Sequence, residues 1–412
     1  MNLAYLSLAA LVIAILVSCF TELNVGILAL ALAWVVGVYL GGMTLNQVIA
    51  GFPVALFLTL AGVTLLFSQA QLNGTLDRIA HRAVRLCRGN TGLIPVMFFV
   101  LAAALASMGP GNVSTAALLA PMAMAVAGRA AIPAFLMIIM VGNGAQAASL
   151  SPFAPTGVIV NGLMEKIGLA GHEWHTYWTN LAAHAFVAFG GYFLFGGLKL
   201  FRSSQVVTIE QKPEDVKLEP SHWITIVVIG ALLVGVLFFD VNVGMGALAG
   251  AVILAVLGAA DHKEAVRRMP WSVILMMSGV TVLISLLEKT GGLDLFTAAL
   301  AVLATPNTIT GVIAFVTGLI SVYSSTSGVV LPAFLPTVPG LIMRLGGGDP
   351  VSIATSMNVG AHLVDLSPLS TTGALCLAGV SPSENVRSVF NKLLAWGLSM
   401  TVVGAVISYL FF

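Results

Sequence analysis

Apolar stretches of about 20 residues follow one another along almost the whole chain, and each is long enough to cross a bilayer as a helix. A soluble core does not need so much apolar surface. Of the 412 residues, 58% are hydrophobic and 8% are charged, whereas soluble domains carry roughly 25% charged residues. The sequence therefore predicts an all-α protein that spans the lipid bilayer many times. The net charge of +1 argues against a nucleic-acid partner.

Segments of the first half recur in the second half in the same order and at similar offsets. The clearest pair reads LAGVTLLFSQAQLNGTLD at residues 60–77 and MSGVTVLISLLEKTGGLD at residues 277–294. Two further pairs are residues 114–121 with 325–332 and residues 142–157 with 358–373. Three collinear matches predict that the chain consists of two copies of one unit.

Basic residues indicate how the two copies are oriented. The loop after the third apolar stretch has four arginines between residues 78 and 88, whereas its counterpart at residues 295–307 has none. Conversely, residues 42–51 are uncharged, and the matching residues 261–268 include three Lys or Arg. Because cytoplasmic loops accumulate Lys and Arg, equivalent loops are expected on opposite sides, as in an inverted repeat. This predicts a bacterial-type inner membrane protein with both termini outside.

The resulting threading has two inverted repeats of five crossings, each with a re-entrant hairpin and a broken helix. The first repeat is predicted at residues 1–201, a cytoplasmic linker at 202–221 and the second repeat at 222–412. The predicted crossings are residues 3–20, 23–41, 52–72, 131–168 and 177–200, then 222–239, 241–259, 271–288, 351–380 and 389–411. In each repeat the hairpin follows the third crossing.

The two hairpin tips are short polar segments that interrupt apolar sequence. They read SMGPGNVST at residues 107–115 and SVYSSTSG at residues 321–328. Irregular backbone at membrane depth must be packed in protein or line a cavity. We therefore expect the tips to bring hydroxyls, one amide and helix N-termini to the bilayer midplane, where they attract anions.

A second polar break follows each hairpin, reading SLSPFAPTG at residues 149–157 and DLSPLSTTG at residues 365–373. Proline removes a backbone donor and frees the carbonyl one turn back. Freed carbonyls with Ser and Thr oxygens suit Na⁺, and the N-terminus of the following half-helix faces an anion. Two matching pairs of breaks predict one shared site. The alternative is a set of ordinary Gly, Ser and Pro kinks for helix packing.

These paired Ser-Thr tips, each followed by a Ser-Pro-x-x-x-Thr-Gly break, resemble the divalent anion/sodium symporter group of the ion transporter superfamily, and within it the MatC-type malonate and dicarboxylate carriers. In that family a Ser-Asn-Thr motif at each tip binds substrate carboxylates and contributes to sodium sites. This chain departs from the motif, because Ser114 and Ser325 stand where the family has Asn. Asn112, two residues before Ser114, is a candidate replacement amide. The departure leaves substrate identity and strict sodium coupling open.

The resemblance implies a set of site residues. The substrate-binding residues would be Asn112, Ser114, Thr115, Thr156, Ser324, Ser325, Thr326 and Thr372. The sodium ions would lie near Gly144, Ser151, Gly360 and Ser367. No cofactor and no metal beyond a transported cation is expected, and a homodimer is implied by the resemblance alone.

Asp365 is the sharpest of the few ionisable residues expected within the membrane. It lies just before the second break, with His362 one turn earlier on the same face, and its first-half counterpart is Ser149. We predict a proton or cation site at Asp365; the alternative is that it caps the half-helix that follows. His184 is interpreted as a hydrogen-bonded residue of helix packing.

The sequence thus predicts a cation-coupled symporter of small dicarboxylates such as malonate or C4-dicarboxylates. The predicted site contains no Lys or Arg, so co-bound Na⁺ or H⁺ must balance a dianion. One alternative is a carrier of another small organic or inorganic anion. A second is an intramembrane serine enzyme with Ser114 or Ser325 as nucleophile, disfavoured because the tips are duplicated. A channel is disfavoured by the absence of charged rings.

Overall fold

The computed structural model of the chain describes residues 2–21, 23–85, 91–202, 218–380 and 384–412, and within these residues the regular structure is helical throughout. Five helices in this part of the chain have at least 18 residues and are apolar enough to cross a membrane, and shorter apolar helices accompany them. The predicted all-α fold is confirmed.

The first half contains eleven described helices, several of them short. Their bounds are α1 (Leu3–Phe20), α2 (Val25–Leu40), α3 (Leu45–Ile49), α4 (Val54–Leu72), α5 (Thr75–Arg85), α6 (Leu93–Met108), α7 (Gly111–Arg129), α8 (Ala134–Ala147), α9 (Pro155–Lys166), α10 (Glu173–Leu194) and α11 (Gly197–Arg202). The last turns of α2 are π-helical.

The second half repeats the order of the longer elements. Its described helices are α12 (Pro220–Phe239), α13 (Val243–Val256), α14 (His262–Arg268), α15 (Trp271–Thr290), α16 (Gly292–Ala301), α17 (Ile309–Ser321), α18 (Thr326–Leu345), α19 (Pro350–Leu363), α20 (Thr371–Ala378) and α21 (Val386–Phe411). Helix α18 begins with a π-helical turn and contains a short 3₁₀ segment.

Most predicted crossings agree with these helices to within a few residues, but the fifth does not. The sequence predicts one crossing over residues 177–200, whereas α10 ends at Leu194 and a turn separates it from α11. Gly196 has a φ of +95° in that turn, and the Tyr192 hydroxyl donates to the carbonyls of Gly92 and Gly197. The helix ends there because Gly196 adopts a left-handed backbone conformation and the Tyr192 hydroxyl holds the two carbonyls.

The predicted linker and part of the basic loop fall on residues that are not described. Residues 203–217 of the linker lie outside the described residues, as does Arg88 of the arginine-rich loop. Helix α12 begins at Pro220, inside the predicted linker, because Glu219 forms a capping box with His222 and proline is well placed at a first helical position.

The two halves cross at two pairs of glycines related by the repeat. Helix α2 packs against α15, and α4 packs against α13. A Cβ at Gly26 or Gly279 would overlap the backbone of the facing helix, and so would a Cβ at Gly62 or Gly244. Small residues at these crossings let helix backbones approach closely. The crossings are those expected of two copies of one unit, and the inversion between the copies stays a prediction.

Candidate functional site

The first hairpin tip joins α6 to α7 through two glycines with left-handed backbones. Gly109 has a φ of +137° and Gly111 a φ of +75°. A Cβ at Gly109 would also overlap the ring of Phe67 on α4. Only glycine fits that position without a shift. The turn therefore seats the tip against α4, and residues Gly109 to Ser114 line a cavity.

The second tip joins α17 to α18 and uses a side chain as its cap. The Ser325 hydroxyl accepts from the Gly328 N–H at 3.1 Å, which satisfies one of the free donors at the helix start. Thr326, the first residue of α18, shares a hydrogen bond with Ser321 and donates to Asp365 Oδ1 at 2.6 Å. The second tip is therefore tied to the second helix break.

The two helix breaks have the same local construction. Helix α8 ends at Ala147 and α9 begins at Pro155; α19 ends at Leu363 and α20 begins at Thr371. In each break a Cβ on the motif glycine, Gly157 or Gly373, would overlap the carbonyl oxygen of the serine six residues earlier. Close backbone approach explains the glycine that ends both Ser-Pro-x-x-x-Thr-Gly segments.

Both tips and both breaks line one cavity of about 380 Å³. The predicted site residues that line it are Asn112, Ser114, Thr156, Ser324, Ser325, Thr326, Asp365 and Thr372. Thr115 does not line it and is 1% exposed. The structure thus brings together most of the predicted substrate-binding residues and Asp365.

The other four predicted cation-binding residues lie behind the cavity wall. Gly144 packs against the backbone of Phe99 on α6, and Gly360 packs against the backbone of Ala314 on α17. The Ser151 hydroxyl donates to the carbonyl of Ser107 on the first tip at 2.7 Å. Ser367 accepts from the Leu369 N–H at 3.3 Å. Their role in sodium binding stays a prediction.

A hydrogen-bond network centred on Gln146 joins the two halves at the cavity. Gln146 Oε1 accepts from Asn112 Nδ2 at 2.9 Å. Its Nε2 donates to Thr372 Oγ1 at 3.1 Å and approaches Asp365 Oδ2 at 3.5 Å. The Asp365 carboxylate in turn accepts from Thr326. The sequence analysis missed Gln146, although a buried glutamine in an apolar helix just before a predicted break was a usable signal.

The structure bears on two expectations about charged residues. Asp365 does not cap α20, because the Ser370 hydroxyl accepts from the Gly373 N–H at 3.1 Å and fills that role. The sequence predicts no Lys or Arg at membrane depth in the site; Arg268 lines the cavity but is an exposed residue at the end of α14. The Arg268 side chain is 61% exposed and pairs with Glu264 Oε1 at 2.9 Å. An exposed arginine that is paired with a carboxylate does little to neutralise an anion bound deeper in the cavity.

The two membrane histidines lie behind the site, outside its lining. His184 Nδ1 hydrogen-bonds Asn143 Oδ1 at 2.9 Å, and His362 Nδ1 hydrogen-bonds the carbonyl of Asn358 at 2.8 Å. Each ring is 1% exposed. His184 therefore has the hydrogen-bonded position in helix packing that the sequence predicts.

The first half of the chain has a recognisable relative. Residues 1–149 match the family model described as dicarboxylate carrier protein MatC N-terminus. This match confirms the stated resemblance over the segment that includes the first tip, Gln146 and Ser149. No curated protein matches the chain in sequence.

Two solved transporters share the fold. The Alcanivorax borkumensis YdaH transporter, whose topology is described as unusual, has 17% sequence identity and a TM-score of 0.59, over 91% of this chain and 88% of that one. MtrF of Neisseria gonorrhoeae, described among antimetabolite efflux pumps, has 12% identity and a TM-score of 0.55, over 99% and 94%. The matched family model describes a carrier protein, and both structural neighbours are described as transporters or efflux pumps. The chain is therefore similar to membrane transporters and not to enzymes.

Proposed function

We propose that the chain is a secondary active carrier that moves small dicarboxylates, such as malonate or a C4-dicarboxylate, across the inner membrane by alternating access. The observation that carries the proposal is the convergence of four helix N-termini on one cavity. The first residues of α7, α9, α18 and α20, which are Gly111, Pro155, Thr326 and Thr371, all line it.

Such an arrangement suits an anion with two carboxylates. Each helix start presents free N–H groups and a positive dipole end equivalent to roughly half a charge. The starts come in two pairs from the two halves, so one pair can hold each carboxylate of a short dianion. Hydroxyls of Ser114 and Ser325 stand beside the two tips and would add donors. The match of residues 1–149 to a dicarboxylate carrier model supports the same substrate class.

The charges around the cavity favour coupling to a cation. Among the described lining residues, Arg268 at the mouth and Asp365 are the charged ones. A bound dianion would meet a third negative charge if Asp365 were ionised, with no basic side chain at that depth. Burying such charge is costly unless a cation or a proton balances it. We propose that Na⁺ or H⁺ binds with the substrate for this reason.

The more exposed lining residues of the cavity, which we call its mouth, support a proposal about the state of the transport cycle. These residues are Thr21 and Asn24 between α1 and α2, Arg268 at the end of α14, and Pro270 just before α15. Both loops are predicted to be cytoplasmic by the distribution of Lys and Arg. We propose that this is an inward-facing state, and that transport closes this mouth and opens the opposite side.

The proposal is tested by uptake of radiolabelled malonate and succinate into proteoliposomes under separately imposed Na⁺ and pH gradients. The variants are Ser114→Ala and Ser325→Ala. Ser399→Ala is the matched control, because its hydroxyl bonds the Trp396 carbonyl of its own helix and its side chain is exposed. Gradient-driven uptake that both tip variants lose and the control retains would support the proposal. No uptake of either acid under any gradient would refute the dicarboxylate assignment and favour another anion.

A further inference from the structure

One basic side chain on the cavity wall has no role in the site described so far. Arg268, the last residue of α14, is the basic residue among the described residues that line the cavity. It shares the mouth with Thr21 and Asn24 of the first half. Its side chain is 61% exposed. An anion that enters through the mouth therefore meets this charge before it reaches the tips.

The turn that follows α14 is held by hydrogen bonds and by packing. The Trp271 indole N–H donates to the Val266 carbonyl at 2.8 Å, and the Met269 N–H donates to the same carbonyl at 3.4 Å. Met269 is buried, and α14 packs against α4. Because Arg268 directly precedes Met269, its backbone has a fixed place at the mouth while its side chain reaches water.

Glu264 is shared between two arginines of the same helix. Its Oε1 accepts from Arg268 Nε at 2.9 Å, and its Oε2 lies 3.8 Å from Arg267 Nη1. No other described residue accepts from Arg268, so the two Nη groups of its guanidinium keep donors for a ligand. One carboxylate between two guanidinium groups leaves one net positive charge at this end of α14. An exposed ion pair is weak, so a substrate carboxylate can take the place of Glu264 at Arg268.

The two adjacent arginines differ in their relation to the cavity. Arg268 lines it and Arg267, which is 81% exposed, does not. Basic residues near the membrane surface commonly anchor and orient helices, and both arginines would serve that purpose equally. In the repeat alignment Arg268 corresponds to Gly51, so a charge at this place is not part of the repeated plan. The position of Arg268 on the cavity wall indicates a role in the passage of the substrate.

We propose that Arg268 is a capture residue for the anionic substrate: it binds a carboxylate at the mouth, in exchange for Glu264, and raises the rate at which the anion enters. The proposal rests on the carrier function argued above. It concerns entry and not the bound state, since the tips lie deeper in the cavity. A cleft with one sign of charge concentrates ligands of the opposite sign, and salt screens the effect. Because Gly51 holds the equivalent place in the first half, we expect capture from one side of the membrane.

The size of the effect follows from Coulomb's law in a water-filled mouth. At about 9 Å, the approximate diameter of the cavity, one positive charge raises the local concentration of a dianion about fivefold at a dielectric constant of about 80. At an ionic strength of about 1 M the Debye length is about 3 Å, and the attraction is lost. Removal of the charge should therefore matter at low salt and not at high salt.

The first test is the initial rate of succinate uptake by proteoliposomes of known orientation, with substrate added from either side, in low and high choline chloride. Arg268→Gln should lower kcat/KM about fivefold at low salt from the side on which Arg268 lies, with kcat unchanged. Arg268→Lys should keep most of the wild-type value, because it keeps the charge. Glu264→Gln should raise kcat/KM, because it leaves Arg268 unpaired.

Arg267→Gln is the matched control, since it removes the same charge from the neighbouring residue, which is not on the cavity wall. It should change kcat/KM much less than Arg268→Gln. The proposal is overturned by a loss in Arg268→Gln that persists at high salt, that is equal from both sides of the membrane, or that Arg267→Gln shares in full.

A second readout does not need transport. Val113 lines the cavity and is 39% exposed. Val113→Cys, in a protein whose 3 native cysteines are replaced by serine, provides a thiol that reacts with an anionic sulfonatoethyl and a cationic trimethylammonioethyl methanethiosulfonate. Their rate ratio reports the potential in the cavity. With Arg268→Gln the anionic-to-cationic ratio should fall about fivefold at low salt, and with Arg267→Gln it should change little.

The two readouts separate this proposal from the proposed function. An unchanged reagent ratio in Arg268→Gln overturns the capture role even if the wild type carries succinate. If the ratio falls but the wild type takes up neither succinate nor malonate, the dicarboxylate assignment is refuted and anion capture at the mouth is supported.

Discussion

Replacing Asp365 by asparagine tests the central electrostatic argument. The substitution removes the carboxylate charge and keeps an oxygen for the Thr326 hydroxyl, which donates to Oδ1 at 2.6 Å. The contact with Gln146 Nε2 is long, at 3.5 Å, and Gln146 retains its bond to Thr372. The variant should therefore fold. We expect it to bind dicarboxylate at high pH as tightly as the wild type does at low pH.

The magnitude follows from the size of the cavity. Taken as a sphere of about 380 Å³, the cavity is roughly 9 Å across, and this diameter serves as a representative distance from Asp365 to each substrate carboxylate. At an effective dielectric constant of about 20, each pair of charges at that distance repels by about 1.8 kcal/mol. An ionised Asp365 should thus weaken binding of a dianion by about 3.7 kcal/mol, or roughly 400-fold in Kd.

The assay is equilibrium binding of succinate to purified protein across a pH series in Na⁺-free buffer, with Asp294→Asn as the control. Asp294 is exposed on α16 and is not among the cavity residues. The wild type and the control should lose affinity as pH rises, whereas Asp365→Asn should not. If the variant binds no better than the wild type at high pH, the repulsion argument is refuted. If Na⁺ abolishes the pH dependence of the wild type, the balancing cation at Asp365 is Na⁺.

Two further substitutions test how the tips are held. Gly109→Ala should abolish uptake and lower the unfolding midpoint, because a side chain at this φ costs roughly 1–3 kcal/mol and the new Cβ would overlap Phe67. The control is Gly190→Ala, at a helix position with open space around it. Uptake and thermal-shift measurements should show no change in the control. Gln146→Leu should raise the KM for succinate, because it frees Asn112 on the cavity wall from its bond. It should also lower the unfolding midpoint, because the buried Thr372 hydroxyl loses its Gln146 donor at a cost of about 1–3 kcal/mol. An unchanged KM would contradict a positioning role.

The parts of the fold that sequence predicts well are those whose backbone chemistry is local. A Gly-Pro-Gly turn between apolar arms cannot continue a helix, and a Ser-Pro-x-x-x-Thr-Gly segment has both a missing donor and a glycine. The structure explains why glycine is needed at positions 157 and 373: a Cβ on Gly157 or Gly373 would overlap the carbonyl of a preceding serine. Repeat-related positions of this kind fix where the chain breaks, whatever packs around it.

Which side chains complete the site depends on which face of each helix meets which neighbouring helix. In a uniformly apolar chain, the sequence periodicity does not reveal that face. Gln146 lies in a helix whose residues are all buried, so no polar stripe marks its direction. Arg268 reaches the cavity mouth because α14 ends beside the start of α15. The packing of α10 against α19 was likewise not visible in the sequence.

The two halves supply different chemistry on one backbone plan. In the repeat alignment Gln146 corresponds to His362, Ser149 to Asp365 and Gly142 to Asn358, so at these three positions the ionisable groups, His362 and Asp365, belong to the second copy. A pair of equal tips and breaks is what alternating access requires, because both sides must close around the same substrate. Coupling has no such requirement, since one titrating group that faces the substrate is enough to make binding depend on a proton. In the proposed carrier, the symmetric backbone would serve alternating access and the three differing side chains would serve cation coupling.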